Sequence, residues 1–81
     1  MILALSPTQR TALRVIEDEV GHVFDHSKAN IEILRQRMGK RNRQSVVEML
    51  FSLRGKGYLQ SVGPSTKRPE RWHVIVTEGG V

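Results

Sequence analysis

The segment Leu34-Arg35-Gln36-Arg37-Met38-Gly39-Lys40-Arg41-Asn42-Arg43-Gln44-Ser45-Val46-Val47-Glu48 decides how the rest of the chain is read. Gly39 suits the left-handed end of one helix, and Asn42 suits the start of another, because its side-chain oxygen can accept from a free N–H of the first turn. About three residues, Gly39 to Arg41, lie between them, which is helix-turn-helix spacing. Upstream, Ile31, Leu34 and Met38 share a helical face while Ile33 points elsewhere, and either Ser27 or Asn30 can cap that helix. Downstream, Val46, Met49, Leu50 and Leu53 occupy one arc of a helix reaching about Arg54. Gln44 and Glu48, with Ser45, Phe51 and Ser52 less centrally, lie on the other side.

Working outward, Ser6-Pro7-Thr8-Gln9 predicts a first helix: Ser6 as cap, Pro7 at the first helical position and Gln9 completing a capping box. Leu13, Ile16 and Val20 follow at helical spacing, and Gly21 is a stop. The connector from His22 to His26 leaves room for a short strand. After Gly55-Lys56-Gly57, residues 58–62 read as a strand, a loop with Gly63, Pro64 and Pro69 follows, and residues 71–77 read as a second strand. Residues 78–81 are expected to be a flexible tail. The expectation is one α+β domain over residues 1–81, with three helices and a C-terminal β-hairpin whose tip, about residues 63–71, is basic.

Eighty-one residues suffice for a single core. There is no cysteine, so disulfides, thiolate chemistry and cysteine-based zinc sites are excluded, which accords with a reducing cytoplasm. The apolar opening Met1-Ile2-Leu3-Ala4-Leu5 is too short for a signal-peptide core or a membrane span and is read as packing on the core. The net charge of +5 is unevenly spread. Residues 1–34 balance at 2 negative and the last 25 residues at 1 positive, whereas residues 35–56 carry seven cations against Glu48 alone.

That distribution points to duplex DNA. A helix in the major groove needs donors and acceptors for base edges on its outward N-terminal half and cations beside it for phosphates. Gln44 can pair with adenine, Ser45 can donate or accept, and Glu48 can accept from the cytosine amino group. Lys40, Arg41 and Arg43 flank the helix start, while Lys67 and Arg68 at the hairpin tip and Arg71 at its base are placed for phosphate or the minor groove.

The same residues resemble the N-terminal DNA-binding domain of the LexA family of SOS repressors over about residues 3–76. Leu5-Ser6-Pro7-Thr8-Gln9-Arg10 is similar to that family's opening, Leu34-Arg35-Gln36-Arg37-Met38-Gly39 to the end of its second helix, and Leu50-Phe51-Ser52-Leu53-Arg54-Gly55-Lys56-Gly57-Tyr58-Leu59 to its run into the hairpin. The resemblance implies a winged helix-turn-helix in which Asn42, Gln44, Ser45, Val47 and Glu48 face bases and the wing lies near the backbone. Glu48 matches the family in residue type; Gln44 and Val47 depart from it, so no operator sequence carries over. The family's self-cleaving, dimerising domain has no counterpart in these residues, and a lone domain of this size resembles small regulators carried by phages or mobile elements.

The expectation is thus a cytoplasmic, nucleoid-associated transcriptional regulator, a repressor, with no cofactor, metal, membrane or catalytic role, binding double-stranded DNA as a homodimer or cooperatively. The alternative is a protein-interaction module that uses Val47 and Phe51 to meet transcription machinery or another regulator. Phe51 itself is read either as such a contact or as packing beneath the hairpin or first helix. Alternation with Val74 and Val76 assigns Trp72 to the core, against a role as a DNA wedge. His22 and His26 are read as solvent-facing, and Glu17, Asp18 and Glu19, being consecutive on a helix, cannot converge on one site.

Overall fold

The computed structural model describes residues 4–64 and 68–76. Its first helix, α1 (Pro7–Glu19), begins at the capping box: Ser6 Oγ accepts from the Gln9 N–H at 3.2 Å, and Gln9 Oε1 accepts from the Ser6 N–H at 3.0 Å. For α2 (Lys28–Met38) the cap is Ser27, whose Oγ accepts from the Asn30 N–H. Asn30 is therefore inside the helix, and its Nδ2 donates back to the carbonyl of Asp25 at 2.9 Å. Asn42 caps α3 (Arg43–Gly55).

Both α2 and α3 stop in the same way. Gly39 (φ +70°) and Gly57 (φ +91°) take the left-handed conformation, and in each case this residue and the next donate to carbonyls of the last turn. The pairs are Gly39 to Gln36 with Lys40 to Arg35, and Gly57 to Arg54 with Tyr58 to Leu53. The first arrangement sends the chain directly into α3, and the second sends it into the sheet.

The connector before α2 does form a strand, β1 (Val23–Asp25). It pairs antiparallel with β3 (Arg71–Val74), which also pairs antiparallel with β2 (Leu59–Val62), so the order is β1-β3-β2. The expected hairpin is thus two strands of a three-stranded sheet. Its strands are shorter than the sequence suggested, β2 starting at Leu59 and β3 ending at Val74. Thr77 and the expected tail at residues 78–81 lie outside the described residues, as do residues 1–3.

One face of the sheet closes the core. Phe24, Trp72 and Leu59 point into it, meeting Leu13 and Ile16 of α1, Ile31 and Leu34 of α2, and Val46, Leu50 and Leu53 of α3. Leu5 packs on this core as expected of the apolar opening. Trp72 is fully buried, in agreement with the alternation argument, and Ile33 is exposed, as its helical position required. No helix among the described residues is long and apolar enough to cross a membrane.

Candidate nucleic-acid interface

One side chain braces the turn between α2 and α3. Arg35 grips Glu32 through Nε (2.9 Å) and Nη2 (2.6 Å), and its Nη1 donates to the carbonyl of Lys40 at 3.2 Å. The Arg35 guanidinium, helped by the Gln36 amide, holds the Glu32 carboxyl at about 2, far below its ordinary 4.5. Arg37 is paired as well, with Glu19 of α1 at 2.6 Å, and this bond fixes α2 against α1. Lys56 donates to the Ala4 carbonyl and to Gln9 Oε1. Arg54 stacks over the Phe51 ring at 4.5 Å and donates to Ser61 Oγ. Four of the seven cations in the basic segment therefore hold the fold together.

Lys40, Arg41 and Arg43 remain, with no ion pair to any described residue. They surround the start of α3, where the backbone N–H groups and the helix dipole add further positive potential. Arg41, Asn42, Arg43, Gln44 and Glu48 are exposed there, and Lys40 is half-buried.

The base-facing candidates differ in how free they are. Gln44 and Glu48 have no hydrogen-bond partner among the described residues and point away from the buried arc of Val46, Leu50 and Leu53. Asn42 Oδ1 instead accepts from both the N–H of Ser45 (2.9 Å) and its Oγ (3.1 Å). That leaves the Asn42 amide nitrogen and the Ser45 oxygen lone pairs for any ligand. Val47 is half-buried against the core.

Phe51 does not stand outward. Its ring packs edge-on to Trp72, centroids 5.5 Å apart at 74°, with Arg54 over its face. Trp72 of the sheet thus reaches Phe51 on the C-terminal half of α3, while Gln44 and Glu48 stay exposed. His26 is likewise drawn inward: it is half-buried, its Nδ1 accepts from Trp72 Nε1 at 2.9 Å, and burial pushes its pKa below 6.5. His22 is exposed as expected and sits 3.1 Å from Glu17. Glu17 and Glu19 contact different partners, as their successive positions on α1 required.

The connection between β2 and β3 is tied down where it re-enters the sheet. The Glu70 N–H donates to the Val62 carbonyl at 2.8 Å, the His26 N–H donates to the Glu70 carbonyl at 2.9 Å, and Pro69 is buried. Arg68 is exposed beside this anchor. Arg71 is exposed too, but its Nε donates to Asp25 Oδ1 at 3.2 Å. Lys67, the other cation expected at the tip, lies outside the described residues.

Sequence reading missed one cation. Lys28, on the first turn of α2, borders a concavity of about 230 Å³ whose other walls are His26, Ser27, Ile31, Arg43 and Val47. Lys28 belongs to the part of the chain with a negative balance, so the charge map hid it. Among the described residues there is no group of three or more histidine, aspartate or glutamate side chains placed to hold a metal ion. Comparison with protein-family models, with curated proteins and with solved structures finds no match to this chain.

Proposed function

We propose that the chain is a winged helix-turn-helix protein that binds double-stranded DNA sequence-specifically and regulates transcription as a repressor. In this reading α3 enters the major groove, and the β2–β3 loop lies on the backbone or in the minor groove. One observation carries it: the start of α3 exposes Arg41, Arg43, Gln44 and Glu48 together, while Arg35, Arg37, Arg54 and Lys56 are engaged within the fold. Unpaired cations beside uncommitted amide and carboxylate groups are what phosphate positioning and base reading require.

Selection of bound fragments from random duplex DNA, followed by titration of the best site across salt concentrations, tests this. Contacts from Lys40, Arg41, Arg43, Lys67, Arg68 and Arg71 give an expected slope of log K against log salt of about −5. Gln44→Ala and Glu48→Ala should change the preferred bases, whereas Arg41→Ala should weaken every sequence alike. A failure to enrich any sequence, with a flat salt response, would refute the reading.

A single reading helix offers few base contacts, so high affinity is assigned to a dimer or to cooperative binding on half-sites about one helical turn apart. Sedimentation of one protein per high-affinity site would contradict that. The protein-interaction alternative has less support, since the Phe51 ring that was to carry it packs against Trp72.

A further inference from the structure

The concavity between the start of α2 and the start of α3 brings together groups far apart in sequence: His26, Ser27, Lys28 and Ile31 on one side, Arg43 and Val47 on the other. Neither Lys28 nor Arg43 has an ion-pair partner among the described residues. Glu32, the carboxylate near enough to act electrostatically on Arg43, is already held by Arg35 and Gln36. Two cations therefore border a recess whose lining includes no acidic side chain among the described residues.

The third polar group is fixed by the core. An indole N–H can only donate, so the Trp72 bond to His26 Nδ1 requires that nitrogen to be unprotonated. The neutral ring then carries its proton on Nε2, where it is a hydrogen-bond donor. Ile31 and Val47 add apolar surface to the same recess.

The geometry points to a seat for a phosphodiester group of the DNA backbone, with Lys28 and Arg43 supplying charge, the Nε2–H of neutral His26 donating to a phosphate oxygen, and the half-buried Val47 meeting the sugar. This rests on the DNA-binding reading and adds a contact outside α3 and the β2–β3 loop. Trp72 acts here as a positioning residue, since it holds the donor tautomer of a ring it reaches from the core.

The test titrates duplex DNA with wild type, Lys28→Ala and Arg41→Ala over a range of salt, and follows the histidine ring nitrogens by NMR. Lys28→Ala should weaken selected and random duplexes equally, by about threefold to tenfold, and reduce the salt slope by about 0.9. The His26 Nε2 resonance should shift on DNA binding while Nδ1 stays unprotonated. If Lys28→Ala matches wild type in affinity and slope while Arg41→Ala weakens binding, or if the His26 ring does not respond, the seat is overturned and the DNA reading survives. If wild type binds no duplex, the DNA reading fails, and inorganic phosphate added to the free protein decides the seat. Saturable shifts at His26, Lys28 and Arg43 that Lys28→Ala abolishes would then support a seat for small phosphates, and their absence would overturn it.

Discussion

Arg35 donates to the carbonyl of Lys40 at 3.2 Å, across the turn that separates α2 from α3. The same guanidinium holds Glu32 through its other nitrogens, so one side chain links the body of α2 to the residue just before the exposed cations. Lysine has a single compact ammonium and no planar fork, so it cannot reproduce the two-nitrogen grip on Glu32 together with the bond to the Lys40 carbonyl. Arg35→Lys and Arg35→Ala should therefore both lower the urea midpoint with an unchanged slope, and both should weaken DNA binding by a few-fold although neither touches a base. DNA affinity equal to wild type in Arg35→Ala would show that the turn needs no brace.

Glu32 links the same brace to pH. Its folded-state pKa, about 2, is below the unfolded 4.5, so its contribution is fully present above 4.5 and disappears as pH falls toward 2. Acid unfolding of wild type should show this component between those values, and Glu32→Gln should remove it. An unchanged profile in Glu32→Gln would assign acid sensitivity to other carboxylates.

His26 begins to respond at a higher pH than Glu32. Burial lowers its folded-state pKa, so the unfolded chain takes up a proton first as pH falls. Stability should be complete above about 6.5 and decline as pH drops through and below that value, before Glu32 begins to respond. His26→Gln keeps an acceptor for the Trp72 indole but has no titrating ring, and should flatten the decline measured between pH 7.5 and 5. A decline of equal size in that variant would exclude His26 as its source.

Phe51 is assigned to the core's second flank, and its removal should register as instability. Phe51→Ala is expected to cost about 2 kcal/mol, less than a fully buried phenylalanine, because the ring is half-buried. In a domain of this size that is a fall in Tm of about 10 °C. Thermal unfolding indistinguishable from wild type would return Phe51 to the interaction surface proposed for it in the alternative reading.

Much of this architecture is legible in the residues because it is local. The Ser6–Gln9 box, the Asn42 cap and the glycines at 39 and 57 each act within a few positions, and capping chemistry reports them directly. The strand at Val23–Asp25 is different: three residues carry too little alternation to declare a strand, and what makes it one is its pairing with β3. Of the two readings of Phe51, protein contact or packing beneath the hairpin or first helix, its ring against Trp72 selects packing, and the sequence alone left the two open for a related reason. A helical wheel assumes one buried side, whereas α3 meets α1 and α2 on one flank and Trp72 on another. The mutual bonding of Asn42 and Ser45, and the meeting of Lys28 with Arg43, depend on side-chain placement that spacing does not encode.

The hydrogen bond from Asn30 Nδ2 to the Asp25 carbonyl has a consequence beyond the helix it helps to start. In an antiparallel ladder the N–H and C=O groups of Val23 and Asp25 alternate with those of Phe24, and face away from β3. Left bare, they would form a template onto which another chain's strand could add, which is how small sheets recruit one another into aggregates. Asn30 occupies the Asp25 acceptor, and the strand is only three residues long, so little template is left. One amide thus takes an open acceptor away from one of the two edges of the sheet.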